Sequence, residues 1–340
     1  MTGDTLLKVS DLDVVYLGLT DEENVRACAD IDLEVRRGEI LGVAGESASG
    51  KSTLLTALTR LQNPPAVTPK GSVVFYDGES DEGVELVGAD DRTLQRLRWA
   101  DISIVMQSAM ACLNPVMRLS AQFADTLRAH RPRISRTAVR ERTAELLEMV
   151  GIAPSAIDKF PHELSGGMRQ RALIALALAC EPDLIVMDEP TTAVDVVMQR
   201  QILEHILRLQ HELGFAVVFV THDLSLLLEM ADRIAIMYAG RIVELADART
   251  IADNPQHPYT RGLRSSFPSL HEPRRTRHGI PGSPPDLRSL PVGCSFQPRC
   301  AEAVAACAQV RPELTDLAVS RVACHVRVDE AAADLTKVAS

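Results

Sequence analysis

The octapeptide GESASGKS at residues 45–52 is the strongest indication of the fold class of this 340-residue chain. It has the spacing of a phosphate-binding loop, in which a glycine and four further residues precede Gly-Lys-Ser. The apolar run at residues 40–43 predicts a strand before the loop, and residues 53–61 predict a helix after it. A glycine-rich turn that opens a helix presents backbone N–H groups to phosphate oxygens. The expected ligand is therefore a nucleoside phosphate.

Two side chains of the loop have distinct expected roles. Lys51 should reach the β- and γ-phosphates, and Ser52 should bind Mg²⁺. The other nucleotide-binding residues predicted here are Gly45, Ser47, Ser49, Gly50 and Thr53. A chance glycine-rich turn is the alternative interpretation, and the flanking strand and helix argue against it.

A second motif, LIVMDE at residues 184–189, supplies acidic groups. Its four apolar residues predict a buried central strand. Asp188, at the carboxyl end of that strand, is expected to orient Mg²⁺ through water. Glu189 could then polarise the attacking water as a general base. The alternative is a strand that ends in two solvated acids, which is common in isolation.

Short apolar runs alternate with helical patterns between residues 30 and 240, which predicts an α/β fold. Residues 6–39 and 71–76 alternate as strands do and predict an antiparallel β layer. Residues from about 92 to 165 are mostly of helical pattern, so we expect a helical subdomain inserted in the core. The chemistry predicted above should lie in the α/β part.

The composition changes after residue 253, where prolines predict an irregular linker that leads to a small cysteine-bearing tail. We therefore predict two domains, a nucleotide-binding domain at residues 1–253 and an extension at residues 254–340. Cysteines are concentrated in the second.

Bulk composition restricts the classes of function. The formal net charge is −10, which argues against nucleic-acid binding as the main task, since such proteins need a basic face. The longest strongly apolar run, residues 172–180, is half of what a bilayer crossing needs. Because no basic and apolar leader is visible at the N-terminus, we expect a cytosolic protein that reaches a membrane only by docking.

The motif LSGGMRQR at residues 164–171 stands about twenty residues before the acidic strand. With it the chain resembles the ABC ATPase family, whose signature is LSGGQ. Met168 replaces the glutamine, and the longer stretch PHELSGGMRQR is similar to the oligopeptide and dipeptide importer branch. The resemblance implies a P-loop nucleotide-binding domain with a RecA-like core. It also implies that Ser165, Gly166, Gly167 and Met168 act on ATP held by another subunit.

The same resemblance assigns roles to four further residues. Gln107 matches the glutamine that senses Mg²⁺ and links to the membrane subunit. Asp195 matches the aspartate that signals across the dimer, and His222 matches the histidine that contacts the γ-phosphate. Tyr16 is the best candidate for the aromatic ring that stacks on adenine, on the basis of its place in the first β segment.

Three further stretches, residues 113–117, 254–263 and 280–287, resemble the dipeptide, oligopeptide and nickel importer group. The resemblance implies a subunit that hydrolyses ATP to power peptide import, as half of a head-to-tail nucleotide-binding dimer. Its implied partners are a second ABC ATPase (a paralogue or a second copy), two membrane permeases and an extracytoplasmic substrate-binding protein. The implied location is the cytoplasmic face of the cell membrane.

Alternatives remain for cargo and for class. Relatives of this branch carry nickel or oligosaccharides, and some ABC ATPases act in DNA repair or translation. Translation-associated members usually carry two cassettes, and repair members carry inserted coiled coils or zinc modules. This chain has one copy of each motif and a negative net charge.

The segment 107–119 is expected to form the groove for a permease helix. Met106, Met110, Leu113 and Met117 are its candidate apolar contacts, and packing inside the subdomain is the alternative for each.

Four of the seven cysteines fall in the last fifth of the chain. They are Cys294, Cys300, Cys307 and Cys324. Four thiolates in a small module suggest a metal centre, and the gaps are wider than those of zinc knuckles. A [4Fe–4S] cluster also takes four cysteines, and the resemblance to peptide-importer ATPases favours it. Zinc, or four reduced structural thiols, remain as alternatives.

Overall fold

The computed structural model of the chain describes residues 4–78, 82–107, 112–191, 195–266 and 279–338, with backbone only from residue 332 onward. Strands and helices alternate through most of these ranges. Within them, no helix is both long and apolar enough to cross a membrane.

The strands of the described ranges are β1 (Thr5–Tyr16), β2 (Val25–Arg36), β3 (Ile40–Ala44), β4 (Ala66–Phe75), β5 (Val84–Glu85), β6 (Ile102–Val105), β7 (Leu184–Asp188), β8 (Ala216–Val220), β9 (Arg233–Tyr238), β10 (Arg241–Asp247), β11 (Thr315–Asp316) and β12 (Arg321–Val322). The helices are α1 (Lys51–Leu58), α2 (Asp91–Leu97), α3 (Leu119–His130), α4 (Arg136–Met149), α5 (Gly166–Ala177), α6 (Val196–Leu213), α7 (Leu224–Met230), α8 (Ala248–Asp253), α9 (Pro258–Ser266), α10 (Ala305–Gln309) and α11 (His325–Val338).

The chain divides into two compact units, each built from separate stretches of sequence. The P-loop unit comprises Lys8–Leu33, Ile40–Val73 and Val220–Ser340. The signature unit comprises Met1–Leu7, Glu34–Glu39 and Val74–Phe219. The phosphate loop and the four C-terminal cysteines therefore belong to one unit, and the acidic strand and the signature motif to the other.

Strands of the P-loop unit follow the order β11-β12-β10-β9-β3. β3 runs parallel to β9, with Val43 opposite Ala235. β10 is antiparallel both to β9 and to β12, where Glu244 lies opposite Val322. Every residue of β3 is buried, as expected for a strand inside a covered parallel sheet. The C-terminal extension thus supplies edge strands to the sheet that carries the phosphate loop.

In the signature unit the strand order is β8-β7-β6, and β6 pairs with β7 in parallel, with Ile104 opposite Val186. All residues of β7 and β8 are buried. Helix α6 buries the apolar positions Ile202, Leu203, Ile206 and Leu209, which recur at the helical spacing seen in the sequence. It ends at Gly214, whose φ of 75° suits the left-handed C-terminal position.

The α/β fold class predicted from the sequence is confirmed. One local expectation is wrong: residues 258–266, within the predicted irregular linker, form helix α9. Proline is accepted at the first position of a helix, where its missing N–H would have no partner in the helix. Pro258 stands at that position, so this proline begins a helix and does not interrupt one.

Candidate nucleotide and cysteine sites

The phosphate loop requires glycine at two positions. Gly45 has a φ of +156°, and a Cβ there would lie 2.3 Å from the Met237 carbonyl oxygen. Gly50 has a φ of +100°, and a Cβ there would lie 2.3 Å from the Ala27 carbonyl oxygen. Both contacts are with backbone atoms, which cannot rotate away. Strands β2 and β9 therefore fix the loop at each end and exclude side chains from these positions.

Lys51 is buried at the first position of α1, with 7% of its surface exposed. Its Nζ donates to the carbonyl oxygens of Gly45 at 2.8 Å and Glu46 at 2.9 Å. A third contact, 3.4 Å long, joins it to the Ser49 hydroxyl. The ammonium group is thus held inside the loop by oxygen atoms, an arrangement that phosphate oxygens could replace.

The remaining predicted residues of the P-loop unit surround this loop at different depths. Ser47 and Ser52 are exposed, and Ser49 and Thr53 are buried. The Tyr16 hydroxyl lies 3.2 Å from the Thr53 hydroxyl, which places the end of β1 beside α1. His222 is exposed just after β8. The adenine-stacking role of Tyr16 and the γ-phosphate role of His222 stay predictions.

In the signature unit, Asp188 closes β7 and is buried, whereas Glu189 is partly exposed. The Glu189 backbone has a φ of 43°, a conformation that non-glycine residues seldom adopt and that marks functional sites when the surroundings maintain it. Its carboxylate accepts a 2.9 Å hydrogen bond from the Gln107 side-chain amide. Two residues predicted separately, 82 positions apart, are therefore in direct contact.

The signature motif forms the start of α5. Ser165 is the N-terminal cap, and its hydroxyl accepts from the Met168 N–H at 3.3 Å. A Cβ at Gly166 would meet no atom within 4 Å, whereas at Gly167 it would lie 2.0 Å from the Met198 methyl group. The helix N-terminus is therefore open at Gly166 and closely packed at Gly167.

Asp195 caps α6 in the same way, since its carboxylate accepts from the Met198 N–H at 3.0 Å. The preceding residues 192–194 of its motif lie outside the described residues. Among the candidate permease contacts, Met110 also lies outside them. Leu113 is 1% exposed and packs inside, so it is not available for docking, whereas Met106 is 38% exposed.

The structure brings the four C-terminal cysteines to one small cavity, which His257 and Phe296 also line. Its cysteines are Cys294, Cys300, Cys307 and Cys324. The Cys294 N–H donates to the Cys307 carbonyl at 2.8 Å, and all four are free thiols. Among the described residues, no three histidine, cysteine or acidic side chains are arranged to hold a metal ion.

Burial controls the charge state of this cavity. Burial, together with the neighbouring Cys307 and Cys324, raises the pKa of the Cys294 thiol to about 11. Burial likewise raises the pKa of Cys300 and Cys324. Complete burial lowers the pKa of His257 to about 3, so this imidazole is neutral near pH 7. The thiols of Cys294, Cys300 and Cys324 are thus protonated near pH 7 unless a metal centre stabilises their thiolates.

Sequence reasoning missed the residues of the extension that contact the phosphate loop. Arg299 forms a two-fold ion pair with the Glu46 carboxylate, and the Tyr259 hydroxyl accepts from the Glu46 N–H at 2.8 Å. An acidic residue inside a phosphate loop signals that a cation should lie nearby. With 36 lysines and arginines in the chain, the sequence did not indicate which one.

Comparison with known proteins places these features in a family. Residues 28–192 match the ABC transporter model, and residues 243–307 match the model for the oligopeptide/dipeptide transporter C-terminal region. A putative peptide import ATP-binding protein of Brucella ovis is 41% identical over 93% of this chain and 95% of its own length. The dipeptide transport ATP-binding protein of Caldanaerobacter subterraneus is 38% identical over 94% and 97%.

Solved structures agree on the fold. A dimeric bacterial ABC transporter cassette is 28% identical and superimposes with a TM-score of 0.63, covering 72% of this chain and 99% of its own. The chain therefore belongs to the ABC transporter family, as one of its ATP-binding subunits.

Proposed function

We propose that this chain hydrolyses ATP to power peptide import through a membrane ABC transporter. The observation that supports the proposal most strongly is the phosphate loop. Its Gly45 and Gly50 leave no room for a side chain, and they precede the buried Lys51 at a helix N-terminus. The peptide import and dipeptide transport relatives, similar over nearly the whole chain, support the cargo class.

The nucleotide is held by groups from the predicted set. Backbone N–H groups of the loop and the Lys51 ammonium bind the β- and γ-phosphates, because the helix N-terminus and the lysine both favour negative charge. Ser52, Gln107 and Asp188 are the proposed Mg²⁺ ligands, the last through water. Tyr16 is the proposed adenine platform. Lys51 has to exchange its carbonyl partners for phosphate oxygens when ATP enters.

Hydrolysis depends on Glu189 and His222. The Glu189 carboxylate is the proposed general base, which takes a proton from the attacking water. The Gln107 amide, which donates to that carboxylate, orients it and stabilises its charged form. His222 contacts the γ-phosphate, where negative charge develops during transfer.

The second half of the site comes from a partner. Ser165, Gly166, Gly167 and Met168 are proposed to act on ATP held by a second ABC ATPase subunit, which is a paralogue or another copy of this chain. The dimeric cassette among the structural relatives supports this arrangement. Asp195 signals across the dimer in this proposal.

Two permeases and an extracytoplasmic substrate-binding protein complete the proposed complex, with this chain at the cytoplasmic face of the membrane. Nickel or oligosaccharide cargo is the alternative within the same class. A DNA-repair or translation role is the alternative of a different class, and the match of residues 243–307 to a transporter region argues against it.

The test is reconstitution of the complete transporter in lipid vesicles with its binding protein. Peptide should accelerate ATP turnover and enter the vesicles, while nickel chelates and oligosaccharides should do neither. Stimulation by one of these other cargoes, with none by peptide, would reassign the substrate. A protein that stays out of the membrane fraction with its permeases expressed would contradict the transporter role.

We further propose that the four-cysteine cavity holds a [4Fe–4S] cluster. The chemistry of the donor set fits this group, since four free thiols line one cavity and four cysteine thiolates are its usual ligands. Bound there, the cluster would act as a structural staple of the extension.

Anaerobic purification tests this assignment. The protein should be brown, with absorption near about 400 nm from iron–sulfur charge transfer, and should contain about four irons per chain. Cys300→Ser should lower the iron content, whereas Cys180→Ser, outside the cavity, should not. Colourless anaerobic protein with stoichiometric zinc, or with no metal, would overturn the cluster while leaving the ATPase proposal unaffected.

A further inference from the structure

Glu46, the second residue of the phosphate loop, is bound through all of its polar groups. Its N–H donates to the Tyr259 hydroxyl at 2.8 Å. Its carbonyl oxygen accepts from Lys51 Nζ at 2.9 Å and from the Ser49 N–H at 3.2 Å. The loop conformation on this side is therefore tied to the position of a single acidic residue.

The side chain of Glu46 is paired with Arg299 of the C-terminal extension. Nη1 of the arginine lies 2.6 Å from one carboxylate oxygen, and Nη2 lies 3.0 Å from the other. The side chain of Arg299 is 6% exposed and that of Glu46 is 25% exposed. An ion pair with two hydrogen bonds and little exposure to water is stronger than a surface ion pair, and it fixes the orientation of both side chains.

The guanidinium is itself held in place. Its Nε donates to the Pro281 carbonyl at 2.7 Å, and Nη1 is also 3.3 Å from the Tyr238 hydroxyl. Tyr238 packs against Tyr259 and Phe296 at ring-centre distances of 4.6 and 5.3 Å. Because these rings are buried, Arg299 has little freedom to leave the carboxylate.

The other contact with the loop, Tyr259, is anchored through the start of α9. The buried Glu244 side chain of β10 accepts from the N–H groups of Gln256 at 2.7 Å and His257 at 2.9 Å. His257 Nδ1 in turn accepts from the Tyr259 N–H at 3.1 Å. Helix α9 is therefore fixed to the sheet that carries the phosphate loop.

We propose that Arg299 is a positioning residue of the phosphate loop, which fixes Glu46 and neutralises its charge so that the loop can receive a polyphosphate. This inference rests on the proposed ATP binding and makes the extension a part of the nucleotide site. Arg299 acts through Glu46 and does not itself contact the nucleotide.

Charge repulsion determines the direction in which nucleotide affinity changes when Arg299 is lost. ATP brings several negative charges to a loop that contains a carboxylate. With Arg299 in place, that carboxylate is paired; without it, the carboxylate repels the nucleotide and the loop loses a fixed point. Repulsion grows with the charge of the ligand, so loss of Arg299 should weaken ATP binding more than ADP binding, and ADP binding more than AMP binding.

The experiment compares Arg299→Gln, Glu46→Gln and the double variant in the full-length chain, by titration with fluorescent ATP, ADP and AMP analogues. Arg299→Gln should weaken ATP affinity about tenfold, as expected for the loss of a charged hydrogen-bonded partner. Glu46→Gln alone breaks the same ion pair but leaves no unpaired carboxylate in the loop, so it should weaken ATP binding less than Arg299→Gln does. The double variant should recover most of the affinity, and added salt should partly rescue Arg299→Gln.

Arg321→Gln is the matched control. Arg321 forms an ion pair of 3.1 Å with Asp316 inside the extension, so its loss perturbs the extension without unpairing Glu46. Its ATP affinity should stay at the native value. The ATP affinity of Arg299→Lys, which retains the charge, should lie between that of the native chain and that of Arg299→Gln. This variant controls for loss of folding in Arg299→Gln.

Two results would overturn the inference: native ATP affinity in Arg299→Gln, or equal weakening in Arg299→Gln and the double variant with no dependence on phosphate number. The second result would leave Arg299 with a purely structural role. A native chain that binds no ATP would instead refute the proposed function, so the two failures are distinguishable.

Discussion

Two helix N-termini of this chain are predicted to contact phosphate, and they differ in how closely other residues of the chain pack around them. The N-terminus of α1 is surrounded by its own chain: Lys51 is buried in a loop whose glycines contact neighbouring backbone. The N-terminus of α5 is exposed at Ser165 and Gly166, and a side chain at Gly166 would meet nothing within 4 Å.

From this contrast we expect one chain to contribute to two nucleotides. A loop that is complete, with its own cation and with Glu46 paired, is expected to bind ATP by itself. An open helix end offers N–H groups and a positive dipole to a phosphate brought by another molecule. Variants at the start of α1 should therefore affect ATP binding by the isolated chain, and variants at the start of α5 should affect ATP turnover only in the assembled pair.

The largest effect is expected from Glu189→Gln, because ATP turnover requires both helix N-termini, that of α1 and that of α5. Loss of the general base should lower ATP turnover by about 10²- to 10⁴-fold, while ATP binding remains because Lys51 and the loop are intact. ATP should then trap a dimer in which both helix ends are occupied, measurable by size-exclusion chromatography. Native turnover in the assembled complex would show that Glu189 is not the base.

Lys51→Ala tests the complete loop. It removes the cation that contacts the phosphates, so ATP affinity of the isolated chain should fall about 10- to 100-fold, the range for losing a charged hydrogen bond. Isothermal titration with ATP measures this directly. If ATP affinity is unchanged, the loop does not use its lysine for phosphate and the contrast with α5 disappears.

Gly166→Asp tests the exposed N-terminus of α5 with a substitution that is not expected to destabilise the fold. An acidic residue in the first turn of a helix favours folding by about 0.3–1 kcal/mol, and the position has room for a side chain. The same charge repels a phosphate from a partner, so turnover of the assembled pair should fall about tenfold or more. Gly166→Ser is the neutral control.

For Gly166→Asp, ATP affinity of the isolated chain should equal that of the native protein. A parallel loss of binding in the isolated chain would mean that α5 serves its own nucleotide, which contradicts the two-molecule interpretation.

The smallest effect is expected from Ser165→Ala, which removes the cap of α5. The Met168 N–H loses its acceptor, and the free energy of unfolding should fall by about 1 kcal/mol. Chemical denaturation followed by circular dichroism measures it. Ser165→Asn, which retains a capping oxygen, should restore most of the stability; equal destabilisation by both would show that the cap contributes little.

The nucleotide motifs and the α/β class could be predicted from the sequence because they depend on neighbours along the chain. A phosphate loop works through consecutive backbone N–H groups, and Gly45, Gly50 and Lys51 stand within seven positions of one another. A buried strand such as β7 is visible as an apolar run for the same reason. Each of these features is contained in a short window of residues.

Contacts between distant segments could not be predicted from the sequence, because they form only when the chain folds. The pairing of Gln107 with Glu189, and of Glu46 with Arg299 over 253 positions, depends on how strands are ordered in a sheet. Helix α9 was not predicted because its start at Pro258 depends on a distant residue. The preceding His257 N–H donates to the side chain of Glu244 in strand β10. Local sequence encodes local hydrogen bonding, whereas partners across the fold are chosen by packing.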